Sequence, residues 1–139
     1  MEKSRRDLVN WAVQKAEEYL ESAQVNLEAE RLFPAAEEIF RAVEVSLEAL
    51  LYHLGVRKIE YPGAVKKFTG RLALQFPIRD NLVHTGRLGR KDYDKYLALA
   101  SELHLASYQP SKTFTLEDLK ENIRFAEDLL TRAKSMTAR

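Results

Sequence analysis

The chain has 139 residues, 45% of them hydrophobic and 31% charged, a balance that indicates one folded domain and excludes a disordered or fibrous protein. It contains no cysteine, which excludes a disulfide framework, a Cys-ligated metal site and a cysteine nucleophile, and which is typical of a cytoplasmic protein. No apolar run approaches the ~20 residues that span a membrane, and the formal net charge of +1 gives no overall electrostatic bias. We predict a single domain over residues 1–139, with its core at about residues 7–133.

Apolar residues recur every three or four positions in the first part of the chain, which predicts two helices. The first extends from about Asp7 to Arg31. The second begins at Pro34 and ends before Gly55, because proline suits a first helical position and glycine suits a C-terminal cap. The inner face of the first helix is predicted to consist of Leu8, Ala12, Ala16, Tyr19, Ala23 and Leu27.

The second helix is apolar over most of its circumference. Its polar positions Glu37, Arg41, Glu44 and Glu48 are confined to one stripe. Such a helix is buried on more than one side, so it is either the centre of a bundle or half of a dimer interface. The side chains proposed for a homodimer contact are Ile39, Phe40, Val43, Leu47 and Leu50.

The middle of the chain contains more breaks. Residues 56–63 are predicted to be a connection with a turn at Pro62 and Gly63. A third helical stretch is expected from about Ala64, interrupted by Gly70 and kinked or ended by Pro77.

Two further helices complete the predicted fold. The fourth extends from about Lys91 to Tyr108, and the fifth begins at Thr115, where Thr115 to Asp118 resembles a capping box. The fourth helix is expected to bury Tyr93, Leu97, Ala100, His104 and Ser107, and the fifth Leu119, Ile123, Ala126, Leu130 and Ala133. No strand pattern is evident, so we predict an all-α bundle of four to five helices.

Positive charge is concentrated in residues 61–95, which carry eight basic and three acidic side chains. This segment either meets phosphates or forms a solvated surface that the acidic first helices compensate. The candidate phosphate-binding residues are Arg71, Arg87, Arg90 and Lys91. Three tyrosines are candidates for base stacking, although packing is the commoner role at helical spacing: Tyr93, Tyr96 and Tyr108.

Several segments together resemble HEPN domains (higher-eukaryote and prokaryote nucleotide-binding), in particular the small single-domain proteins of archaea and thermophilic bacteria. The resembling segments are Tyr19-Leu-Glu-Ser-Ala-Gln-Val-Asn-Leu-Glu-Ala-Glu30, Phe33-Pro-Ala-Ala-Glu-Glu-Ile-Phe-Arg-Ala42, Leu50-Leu-Tyr-His-Leu-Gly55, Val83-His-Thr-Gly-Arg-Leu88, Ala106-Ser-Tyr108 and the final helix. The resemblance implies an up-and-down bundle that dimerises through its central helices. It also implies a place beside a minimal nucleotidyltransferase in a toxin–antitoxin pair.

Active members of this family are metal-independent ribonucleases with an Arg-x(4–6)-His motif, which Arg79-Asp-Asn-Leu-Val-His84 fits. The resemblance implies that the histidine handles the 2′-hydroxyl or leaving-group proton and that the arginine holds the phosphate. Residues five apart in an α-helix point about 140° away from each other. We therefore expect Arg79 and His84 to converge only across a helix end or between two subunits.

The resemblance also implies a second location for the motif, because the small archaeal and thermophilic HEPN proteins carry it near the end of the fourth helix. There, Leu103 occupies the position of the arginine and Tyr108 that of the histidine, while His104 lies beside them. His104 and Tyr108 are therefore the alternative site.

Three functions remain open. The chain is an interaction module that partners a nucleotidyltransferase or binds a nucleotide or RNA, or a ribonuclease that uses Arg79 and His84, or a structural dimer without a ligand. No two histidines lie four residues apart with a carboxylate partner, and no glycine-rich phosphate loop is present, so we expect no metal and no cofactor.

Overall fold

The computed structural model describes residues 4–57, 59–61, 64–66, 74–111 and 113–138. The described part is a bundle of helices, which confirms the predicted all-α class. The helices are α1 (Arg5–Glu28), α2 (Leu32–His53), α3 (Gln75–Ile78), α4 (Arg90–Tyr108) and α5 (Leu116–Thr137), and a π-helical turn (Arg79–Val83) continues directly from α3. No helix among the described residues combines the length and the apolar character needed to cross a membrane.

A short antiparallel hairpin, β1 (Ile59–Tyr61) and β2 (Ala64–Lys66), lies between α2 and α3. The expected helix from Ala64 is therefore wrong for residues 64–66. The β-branched and aromatic residues of this segment favour extended backbone, and two such runs can pair. The predicted turn at residues 62–63 and the predicted break at Gly70 lie outside the described residues.

The predicted helix caps are confirmed at two positions. Gly55 adopts a positive φ of 84° after α2, and the Thr115 side chain accepts a hydrogen bond of 3.1 Å from the backbone N–H of Asp118. The start of α1 was not predicted correctly, because the Ser4 hydroxyl caps the helix and moves its first residue to Arg5.

The helix α2 is the centre of the bundle, since it packs against α1, α4, α5 and the π turn. The side chains that were expected to form a dimer interface are between 0 and 4% exposed within one chain: Ile39, Phe40, Val43, Leu47 and Leu50. That interface is therefore wrong, because these side chains already form the core of the protomer.

Two carboxylates of the α2 polar stripe are also buried. Glu44 pairs with Arg41, and Glu48 accepts a hydrogen bond from Tyr52. Burial raises the pKa of Glu48 above its ordinary value, and the nearby charges of Lys15 and Arg41 offset only part of this effect. The polar stripe is therefore only partly at the surface: Glu37 is exposed and Arg41 half-buried, whereas Glu44 and Glu48 lie inside the fold.

The buried face of α4 differs from the predicted one. It consists of Tyr93, Tyr96, Leu99, Ala100, Leu103 and Ala106. His104 and Ser107 are exposed instead, because the face that carries the two tyrosines and the larger aliphatic side chains buries more apolar surface. An ion pair of 2.8 Å between Asp92 and Arg132 joins this helix to α5.

Candidate functional site

The motif Arg79 to His84 coincides with the π turn. The backbone N–H of His84 donates to the carbonyl of Arg79, five residues earlier, at 2.9 Å. In an α-helix these residues would point about 140° apart, whereas an i→i−5 bond places the second residue one turn above the first. The π turn is a route to convergence within one chain, besides a helix end or a second subunit.

Asp80 connects the two side chains of the motif. Its Oδ1 atom accepts a hydrogen bond of 2.9 Å from Arg79 Nε and lies 3.8 Å from His84 Nδ1. Both nitrogens therefore face the same oxygen atom. At 3.8 Å the carboxylate is near Nδ1 without a hydrogen bond to it, and His84 Nε2 is the imidazole nitrogen left to act on a substrate.

All three side chains are accessible, with 39% of Arg79, 53% of Asp80 and 59% of His84 exposed to solvent. The hydrogen bond to Asp80 raises the pKa of Arg79 further above its ordinary value, so the guanidinium stays charged. A guanidinium has five N–H donors, and the bond to Asp80 uses the Nε donor. The remaining donors suit a phosphate oxygen pair.

Phe76 is a residue of this site that sequence reasoning missed. Its ring is exposed, and the guanidinium carbon of Arg79 lies 4.9 Å from the ring centroid. Residues three apart share a helix face, so an aromatic residue three positions before the motif arginine was the available signal. An exposed aromatic ring beside a cation offers a surface on which a nucleic-acid base can stack.

The chain after the motif folds back through a glycine cap. Gly86 has a φ of 78°, and the N–H groups of Gly86 and Arg87 bond to the carbonyls of Val83 and Leu82 at 3.1 and 2.8 Å. This is a Schellman motif, and the buried side chain of Leu88 follows it. The cap places Arg87 directly after the π turn.

The candidate phosphate-binding residues are distributed around this cap. Arg87, Arg90 and Lys91 are all exposed, the first in the loop and the others at the start of α4. The Arg90 Nε atom lies 3.3 Å from Asp94. Arg71 lies outside the described residues.

The alternative location contains two exposed rings but a leucine in place of the arginine. The rings of His104 and Tyr108 lie 4.8 Å apart, Tyr108 is 74% exposed, and Leu103 is buried in the core. This pair lies in the last turns of α4, where the helix dipole is negative and disfavours an anion. Its chemistry suits a phosphate less well than the π turn does.

The other two candidate stacking tyrosines pack inside the fold, as the commoner role predicts. Tyr93 is buried, and its hydroxyl donates to the carbonyl of Gln75 at 3.1 Å. Tyr96 is fully buried and stacks on Phe40 with the ring centroids 5.9 Å apart. Within the described part of the chain, no group of three or more His, Asp or Glu side chains is arranged to hold a metal ion.

Comparison with known proteins agrees with this fold and with the sequence resemblance. The model of the HEPN domain matches residues 9–136, a range that contains the π turn and the four long helices almost completely. None of the curated proteins matches the chain. Because the family model covers most of the sequence, the chain belongs to the HEPN domain family.

Proposed function

We propose that this chain is an RNA-directed HEPN protein that cleaves single-stranded RNA at the π turn, without a metal ion. The family match supports a nucleotide- or RNA-related module. One observation carries the finer proposal: Arg79 and His84 both face the same oxygen atom of Asp80 on an exposed turn.

The reaction that fits these groups is an internal transesterification. His84, with Asp80 near its Nδ1 atom, accepts the proton of a ribose 2′-hydroxyl at Nε2. The 2′-oxygen forms a bond to the adjacent phosphorus, the bond from phosphorus to the 5′-oxygen breaks, and that oxygen takes a proton from water. The imidazolium then returns its proton to the solvent, so the products are a 2′,3′-cyclic phosphate and a free 5′-hydroxyl.

The cations near the π turn have a separate role in this proposal. Arg79 binds the reacting phosphate and stabilises the charge that develops on its oxygens. Arg87, Arg90 and Lys91 are exposed close to it in the sequence and hold neighbouring phosphates by charge alone. Phe76 supports an unpaired base next to the scissile bond.

The test is cleavage of a fluorescent single-stranded RNA by the purified chain, with and without a chelator. We expect His84→Ala to lower kcat/KM by about 10²–10⁴-fold and Arg79→Ala by about 10²–10³-fold. Both side chains are exposed, so both variants should keep the wild-type melting temperature. A 2′-deoxy oligonucleotide of the same sequence should resist cleavage.

Two matched controls locate the activity. Arg124→Ala removes an exposed arginine from α5 and should leave cleavage unchanged. His104→Ala removes the exposed histidine of the alternative location and should also be silent. Cleavage that survives loss of Arg79 and His84 but disappears in His104→Ala would move the site to the end of α4.

The interaction-module hypothesis is the second outcome of the same experiment. RNA or nucleotide binding without cleavage would support a binding protein of a toxin–antitoxin pair with a minimal nucleotidyltransferase as its partner. Membership of the small archaeal and thermophilic branch stays a prediction. A homodimer also stays a prediction, and light scattering over a range of protein concentrations tests it. Any such dimer must use a surface other than the buried α2 side chains.

A further inference from the structure

We propose that Asn81 is a positioning residue, whose side chain holds the π turn in the geometry that brings Arg79 and His84 together. This inference rests on the proposed function, because it assigns the residue that assembles the proposed site. Asn81 itself does not contact the motif side chains in the described hydrogen bonds; it acts on the backbone that carries them.

The side chain of Asn81 bonds to the helix backbone at the entry to the π turn. Its Nδ2 atom donates to the carbonyl of Pro77 at 2.9 Å, four residues earlier. Pro77 lies in α3, one residue before the α geometry ends at Ile78. The bond therefore lies where the backbone changes from α to π spacing.

A side-chain donor at this carbonyl competes with the backbone ladder. Asparagine side chains offer helix carbonyls an alternative to the i→i−4 backbone bond, and a side chain that enters the ladder is a known cause of local helix distortion. The Asn81 side chain is therefore the local feature to which we assign the wider turn.

The far end of the π turn is fixed by different contacts. The Thr85 hydroxyl donates to the carbonyl of Asn81 at 2.7 Å, the Gly86 cap closes the chain, and Leu82 is fully buried. The Asn81 amide is the side-chain donor at the entry. Its loss lets the segment return to α spacing, which separates Arg79 from His84 by about 140° around the helix axis.

The kinetic test uses three substitutions at this position. Asn81→Ala and Asn81→Asp remove the donor, the second with almost no change in shape. Both should lower kcat by about 10²–10³-fold, the effect expected for loss of Arg79 itself, because α spacing turns Arg79 away from the phosphate next to His84, while KM should change little since the exposed cations remain. Asn81→Ser restores a hydroxyl donor of the kind with which Ser46 already bonds to the carbonyl four residues earlier, and should recover part of kcat.

The matched control is Ser107→Ala, which removes a side-chain bond of the same type, from Ser107 to the carbonyl of Leu103, outside the site. It should leave kcat unchanged. If the Asn81 variants lose no more kcat than this control, or if KM rises while kcat is retained, the positioning role is wrong.

An NMR measurement decides the proposal without any activity. Scalar coupling across the hydrogen bond should connect the His84 nitrogen with the Arg79 carbonyl carbon in the wild-type chain, and should move to the Asp80 carbonyl in Asn81→Ala. Persistence of the Arg79 coupling in Asn81→Ala would overturn the positioning role. Absence of RNA cleavage by the wild-type chain would overturn the proposed function alone, since the coupling still reports the turn.

Discussion

Among the described residues, three helix ends share a left-handed cap, and at one of them the cap residue is not glycine. Gly55 and Gly86 occupy the left-handed position after α2 and after the π turn, with φ of 84° and 78°. After α1 this position is Glu30, with φ of 55°. Its N–H bonds to the carbonyl of Leu27 at 3.0 Å, and the N–H of Arg31 bonds to that of Asn26 at 2.8 Å. The bonding pattern is the Schellman motif, with an L side chain where glycine is preferred.

We therefore predict that Glu30→Gly stabilises the protein. A left-handed residue with a Cβ atom destabilises the folded chain by roughly 1–2 kcal/mol. Glycine avoids this strain but loses about 0.5–1 kcal/mol of stability, because it has greater conformational freedom in the unfolded chain. The Glu30 side chain is exposed, and no hydrogen bond or ion pair of this side chain is found among the described residues. The expected net gain is about 0.5–1 kcal/mol, which corresponds to a rise in Tm of about 2–5 °C for a chain of this size.

Urea unfolding followed by circular dichroism measures this difference, with Glu30→Ala as the matched control. Alanine removes the charge but keeps the Cβ atom, so its free energy of unfolding should stay near the wild-type value. Glycine should exceed it by about 1 kcal/mol. A glycine variant that is no more stable than the alanine variant would refute the reasoning, because the backbone cost would then be absent.

The remaining predictions concern the other cap, the buried carboxylate and one ion pair. Gly86→Ala should destabilise the fold by about 1 kcal/mol and lower RNA cleavage, since the cap closes the π turn; Gly86→Asn should lose less of both. Glu48→Gln should raise the free energy of unfolding at pH 7, because burial raises the pKa of Glu48 in the folded chain above its ordinary value. The wild-type chain therefore loses stability as the pH rises through the folded-state pKa. The advantage of Gln should vanish below about pH 4.5, where Glu48 is protonated in both the folded and the unfolded chain. Arg132→Ala should cost about 0.5–1 kcal/mol, because its pair with Asp92 is only partly buried, and thermal unfolding of each variant measures these effects.

The long helices were predictable because they depend on repeated local signals. The predicted core of α5 is buried at every position named, from Leu119 to Ala133, and glycine and threonine caps mark helix ends through backbone chemistry that a sequence displays directly. The first residue of α1, Arg5, lies two residues before the predicted start at Asp7. In these segments the local preference and the tertiary packing agree.

Features set by tertiary contacts were not predictable in the same way. The α2 glutamates are polar by sequence, yet Glu48 is buried in the packed bundle, where the charge of Lys15 on α1 and a hydrogen bond from Tyr52 favour its ionised form. His104 was expected inside because its spacing fits one stripe of α4, whereas a neighbouring stripe carries more apolar surface and faces the core. Periodicity alone does not decide between two overlapping stripes when the partner helix is unknown.

The sequence does contain a signal for the geometry of the candidate site, because the spacing of the motif conflicts with α-helical geometry. Arg79 and His84 are five residues apart, a spacing that an α-helix cannot bring to one face, and Asn81 lies between them. An asparagine that can bond to a carbonyl four residues earlier is a local signal for a distorted turn. The spacing of this motif does not fit an α-helix. Such a misfit need not argue against Arg79 and His84 as a pair, because it can also indicate that the helix departs from α geometry at that point. A π turn satisfies both, because its i→i−5 hydrogen bond joins the same two residues that the motif requires to meet.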